Sequence, residues 1–316
     1  MRKLILSASA MMLLFACQNE DNAAVSEDTT TLKRGCAAHE VHERQLAEDP
    51  SLALRMNEIE EFTQKAIAEG RLVNGKIVIP VVVNVLYKTA AENIPLSRIQ
   101  SQIDVLNQDF TATNADWNQV PALFSGVKAN VDITFELETV IRKAGNKPSW
   151  GTKDNMKKAS KGGINPTSPS TKLNIWVCTI GGGILGYAQF PGGPASTDGV
   201  VIDSRYFGLS GQANYPYNLG RTATHEVGHW LNLRHIWGDA TCGNDLVADT
   251  PVHNGPNYGA PAYPHYSTCS GQPVEMTMNY MDYTDDRGMY MFSNGQKSRI
   301  SAVFASGGPR NGFAQP

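Results

Sequence analysis

A chain of 316 residues with 41% hydrophobic and 18% charged side chains is an ordinary globular composition, long enough to bury a sizeable core. Its formal net charge of −3 makes no case for binding nucleic acid or an anionic membrane surface. After residue 17 no stretch is long and apolar enough to span a bilayer.

The chain opens on an export signal. Arg2 and Lys3 form a charged start, residues 4–16 an apolar core, and Cys17 follows Leu14, Phe15 and Ala16. That ending resembles the bacterial lipobox, so residues 1–16 are expected to be removed and Cys17 to carry lipid. The other reading is an ordinary secretory signal. Either way the protein is expected outside the cytoplasm, as a surface or membrane-anchored lipoprotein or as a secreted protein. The polar run 18–31 reads as a tether.

The elements follow in order. Ser51 is the expected cap of a helix over 51–69, with Leu52, Met56, Ile59, Phe62 and Ala66 as its apolar stripe and Gly70 as its stop. Arg71 and Lys76 are candidate activation sites ahead of a strand at 77–87. A helix over 96–110 carries Leu96, Ile99, Ile103, Leu106 and Phe110 at core spacing. Strands are predicted at 131–140 and 173–179, and the runs GGGILGYAQFP and GVVID complete the sheet. Helices at 218–231 and 294–305 finish the pattern. This order suits an α/β (α+β) fold: a twisted mixed sheet with a backing helix and an active-site helix above, and an irregular half with a C-terminal helix below. The expected organisation is 1–16 signal, 17–75 tether and propeptide, and 76–316 catalytic domain.

Residues 225–235 read HEVGHWLNLRH. His225 and His229 lie four apart and share a helical face, the spacing at which two imidazoles hold one Zn²⁺. Glu226 lies beside such a metal as a general base. His235 joins the site only if the chain leaves the helix, and Asn232 is one of the few non-glycine residues that adopts the left-handed conformation readily.

This pattern resembles the zinc signature of the metzincin peptidases, with Asn232 where the family has Gly and with Met281, in MNYMDYTDD, as the Met-turn residue. HEVGHWL, the DTP at 249–251 and NYMDY at 279–283 resemble the pappalysin branch, above all its short microbial, ulilysin-like members; the likeness covers roughly 76–305 and a shorter N-terminal stretch. The resemblance implies a metzincin-type catalytic domain and a zinc endopeptidase acting on protein or peptide substrates. Its zinc would sit on His225, His229 and His235, with Glu226 as base, Tyr283 stabilising the transition state and Met281 flooring the histidines. It also implies a Cys242–Cys269 disulfide; Cys178, in the apolar strand LNIWVC, reads as a buried inert thiol. Lys33-Arg34-Gly35-Cys36 resembles the propeptide pattern in which a Cys, here Cys36, blocks the metal.

Asp245, Asp249 and Thr250 offer oxygen ligands suited to Ca²⁺, which the resemblance also implies near this segment; turn and helix-cap roles are the competing reading. His253 and His265 read as surface groups. The family's preference for Arg or Lys after the scissile bond calls for an acidic pocket, yet no Asp or Glu lies between Thr250 and Cys269. Nothing local selects Glu275 or Asp282 instead, so no basic preference is predicted. A non-catalytic binding or adhesion lipoprotein on the same scaffold is the alternative function; Glu226 argues against it, since a binding protein needs no base beside the histidines. A zinc hydrolase of a non-peptide amide is the third reading.

Overall fold

The computed structural model describes residues 33–73, 75–211 and 214–313. The signal sequence and Cys17 therefore lie outside the described residues. Two helices come first, α1 (Ala38–Glu48) and α2 (Ser51–Ala68). Strand β1 (Ile77–Tyr87) and helix α3 (Leu96–Phe110) match their predicted bounds. There follow β2 (Lys128–Ala129), β3 (Ile133–Ala144), β4 (Leu173–Cys178), β5 (Gly186–Ala188) and β6 (Val200–Asp203). Helix α4 (Arg221–Trp230), strand β7 (Phe292–Ser293) and helix α5 (Asn294–Phe304) complete the elements used below.

The main sheet has the order β3-β1-β4-β6-β5, parallel except for β5, which pairs antiparallel with β6 at the edge. Strands β1 and β4 are covered on both faces. They accordingly read as near-continuous apolar runs, IVIPVVVNVLY and LNIWVC, rather than alternating ones. Ile99, Ile103, Leu106 and Phe110 of α3 pack against this sheet at 2% exposure or less. Below α4 the chain is largely irregular, held by turns, the two-stranded β2–β7 pair, α5 and the Cys242–Cys269 disulfide. That bridge spans a sequence separation of 27, and closing such a loop removes about 3 to 4 kcal/mol of unfolded-chain entropy. Cys178 is buried and free, as expected.

Several expectations need correcting. Ser51 does not cap α2: it is the first helical residue, and the Asp49 carboxylate accepts both its amide and its hydroxyl. Leu96 is 58% exposed, because the first position of α3 lies beyond the edge of the sheet's apolar face. Strand β3 runs on to Ala144; Arg142 and Lys143 make that end look polar, but an outer strand tolerates them. Helix α4 starts at Arg221 rather than at 218, since Gly220 holds a left-handed φ of 80° that no helix continues through. His253 is fully buried, not a surface group, with Glu275 and Asp282 near its ring.

Candidate active site

All ten residues of α4 are buried, and His225 and His229 project from it toward one point. After Trp230 the helix stops on Asn232, whose φ is 72°. The amide of Leu233 then donates to the Gly228 carbonyl, an αL helix ending that redirects the chain and brings His235 back. The His229 Nε2 atom ends 3.1 Å from Nε2 of both His225 and His235.

The protonation of these rings follows from their other nitrogens. Nδ1 of His225 faces the Tyr280 carbonyl at 2.7 Å, and Nδ1 of His229 the Leu233 carbonyl at 2.8 Å. Nδ1 of His235 faces the Asp239 carboxylate. Oxygen acceptors on every Nδ1 put the ring proton there and leave every Nε2 bare. Burial, together with the neighbouring rings, pushes the pKa of His225 well down and that of His229 to about 3, so both are neutral. Bare lone pairs 3.1 Å apart repel one another unless a cation lies between them. The donor set therefore fits Zn²⁺. Cys36 Sγ completes it: these four ligand atoms all lie within 4.8 Å of one another, and among the described residues this is the one group of three or more His, Cys, Asp or Glu side chains placed to hold a metal.

Glu226 is buried beside this cluster, 3.4 Å from Cys36 Sγ. Burial pushes its carboxyl up to about 8, with the Cys36 hydrogen bond and the Arg34 charge pulling the other way. Tyr283 is 9% exposed, and its hydroxyl donates to the Cys36 carbonyl at 3.1 Å. Met281 packs under α4 because Gly228 has no side chain; a Cβ there would lie 2.5 Å from the Met281 sulfur. Gly228 is thus a functional position that the histidine spacing does not signal.

The segment before α1 lies along the edge strand: Cys36 pairs parallel with Gly186, and Leu185 donates its amide to the Gly35 carbonyl. Arg34 goes into a pocket of its own and is 3% exposed. Its guanidinium meets the Asp286 carboxylate at 2.5 Å, the Thr284 carbonyl and Thr222 Oγ1 at 3.2 Å, and the Tyr217 ring. Neither Glu275 nor Asp282 reaches it; both face Asn257 instead. The acid that receives Arg34 is Asp286, past the Met-turn.

Around the proposed calcium ligands, Thr250 Oγ1 is within 3.0 Å of both Asp245 carboxylate oxygens and of the Val247 carbonyl. Asp249 instead accepts from Ser293 Oγ and the Gly295 amide at the start of α5.

The family model for Peptidase M43, pregnancy-associated plasma protein-A, matches residues 176–305. An extracellular metalloprotease of Arthroderma benhamiae is 32% identical over 231 residues, covering 71% of this chain and 76% of its own length. The chain belongs to the pappalysin family. Another relative, extracellular metalloprotease 1 of Coccidioides posadasii, is 38% identical over 168 residues, which are 50% of this pappalysin and 57% of that protein. Among solved structures, mature mirolysin of Tannerella forsythia in complex with a cleaved peptide superposes with a TM-score of 0.74 at 42% identity, covering 77% of this chain and 97% of that one. A variant of Tannerella forsythia promirolysin gives 0.81 at 39% identity, covering 89% and 97%. This pappalysin is a metalloendopeptidase with a mixed α/β metzincin-type fold, and the binding-lipoprotein alternative is not favoured.

Asn232 carries a measurable strain. A left-handed non-glycine residue costs about 1 kcal/mol, and its buried Nδ2 has no partner among the described residues. Asn232→Gly is expected to stabilise the chain by about 1 kcal/mol in denaturant unfolding, and Asn232→Ala to destabilise it by a similar amount.

Proposed function

We propose that this pappalysin is an exported zinc endopeptidase made as a latent precursor. In this reading His225, His229 and His235 hold the metal, Glu226 moves the proton, and residues 17–75 form a tether and propeptide ahead of the catalytic domain 76–316. The observation that carries it is the convergence of three bare imidazole nitrogens opposite Glu226 and Cys36. Export is supported by relatives named extracellular metalloproteases and by the sequence of residues 1–17. Lipid on Cys17 rests on that sequence alone.

Bound zinc would polarise the scissile carbonyl and draw the pKa of a water toward neutrality. Glu226 takes the proton of the attacking water and delivers it to the departing amine, from its buried place beside the three histidines. Tyr283 already donates to a backbone carbonyl in the cleft, that of Cys36. With a substrate in place, the same hydroxyl stabilises the carbonyl oxygen as charge develops there. Met281 and Asp239 touch no reacting atom; they keep α4 and the His235 ring in position.

Latency is assigned to Cys36, whose sulfur lies within 4.8 Å of the three histidine ligand atoms and would serve as a fourth ligand in place of a water. The prosegment also supplies its own pocket ligand, Arg34. A pocket that buries a guanidinium on Asp286 is built for a basic side chain, so substrates with Arg or Lys after the scissile bond are the proposed class. Calcium is proposed at Asp245, Thr250 and the Val247 carbonyl. One hydroxyl proton cannot serve three oxygens, and Asp245 is 4% exposed with its pKa pushed up to about 6 by burial. Asp249 is left out because α5 occupies both its oxygens.

Three outcomes check these assignments. Digestion of a denatured protein mixture by the processed chain, read by mass spectrometry, is expected to give cuts before Arg and Lys. Glu226→Ala abolishes them with zinc retained, and Asp286→Asn lowers the basic preference about tenfold or more; indifferent cutting would refute the pocket. The cobalt-loaded full chain is expected to show thiolate-to-metal charge-transfer absorption that Cys36→Ala removes. Calcium is expected to raise the unfolding temperature of the chelator-treated chain, an effect lost in Asp245→Asn and kept in Asp249→Asn. Equal unfolding temperatures with and without calcium would end that assignment.

A further inference from the structure

Helix α2 buries Leu52, Thr63 and Ala66, and residues 55, 56, 59 and 60 add contacts to the chain beyond it. At one end Arg55 donates to the Gly192 carbonyl at 2.8 Å. Gly192, with a φ of 99° and no side chain, forms a bare platform. A Cβ on it would lie 3.0 Å from Ile59, 3.4 Å from Met56 and 3.7 Å from Leu52, so all three apolar groups rest there. At the other end Glu60 makes two parallel bonds, 2.9 and 2.8 Å, to the guanidinium of Arg299. Phe62 closes the contact over Gly307. Beside the helix a cavity of about 380 Å³ is lined by Met56, Glu60, Phe190, Asn232 and Arg234.

Arg299 is the unusual member. It belongs to α5, its side chain is 2% exposed, and Glu60 is its carboxylate partner. Its remaining bonds go to the Leu246 and Asn232 carbonyls at 3.3 and 3.5 Å, and its Nε has no partner among the described residues. Once the prosegment departs, this buried guanidinium loses the one carboxylate that hydrogen-bonds it and keeps only the longer-range attraction of Asp245. A bidentate carboxylate is what that geometry selects.

We propose that the seat of α2 is a carboxylate-reading exosite of the processed peptidase. It takes a helical segment of a protein partner that presents one acidic side chain, with apolar residues one to two turns ahead of it. The proposal rests on the reading of residues 17–75 as removable.

The test uses the full chain carrying Glu226→Ala, processed in trans by a trace of active enzyme, with its new N-terminus read by mass spectrometry. It is titrated with a labelled peptide of residues 49–70 and with the same peptide carrying Glu60→Gln, their helical content matched by circular dichroism. Saturable binding, weakened at least tenfold by Glu60→Gln and not displaced by an arginine-bearing hydroxamate in the cleft, is the expected result. Equal binding of the two peptides, no saturable binding, or displacement by the hydroxamate overturns the exosite and leaves the prosegment reading intact. A chain that is never cut between α2 and β1 overturns both, because the seat is then never vacated.

Discussion

Three imidazoles with their Nδ1 protons fixed leave three bare lone pairs pointing at one another, and everything around them serves to hold that arrangement. Left alone, it is repulsive. It is held because the oxygens that fix the rings come from separate places: the Met-turn carbonyl of Tyr280, the Leu233 carbonyl after the αL turn, and the Asp239 side chain. The catalytic helix alone could orient only two of the rings. The left-handed turn at Asn232 supplies the third, and the lower half of the molecule exists to keep that turn and the Met-turn in register.

That register depends on a buried carboxylate well away from the metal cluster. Asp109 on α3 accepts from Thr224, the residue just before His225, and from the hydroxyl of Tyr280, each at 2.7 Å. Arg221 lies 3.5 Å away and carries its own pair to Asp116. Burial pushes Asp109 up to about 6, while Arg221 and the two hydroxyls draw it back down. Truncating one member of such a network leaves a buried polar group unmatched, so the backing helix, the catalytic helix and the Met-turn behave as one unit.

How much of this was legible in the sequence divides along chain distance. Helix α3 and strand β1 were readable to the residue because apolar periodicity and a continuous apolar run are local signals. The three histidines and Asn232 were readable because a metal site on one turn of helix and one loop is also local. Asp286 was not. Its role shows only when Arg34, 252 residues away, is seen inside its pocket, and nothing in TDDRG marks one acid over its neighbour. His253 misled for the same reason: its ring meets Glu275 and Asp282, which the fold brings back to it from further along the chain. Helix α1 was missed because it buries only Ala38 and Val41, too few apolar positions to set a period.

The segment ahead of β1 makes the long-range logic plain. Three chemically different groups on one short stretch, Arg34, Cys36 and Glu60, meet a carboxylate pocket, a metal-ligand cluster and a buried guanidinium. On the proposed reading each target belongs to the catalytic domain and loses this partner when the stretch is cleaved away; a basic substrate side chain would then take the pocket, and a water the thiol's position. Arg299 is the third, and its burial beneath Asn232 and Leu246 ties it to the same turn that positions His235. Arg299 therefore joins helix α2, through Glu60, to the backbone turn that carries the chain from α4 to His235.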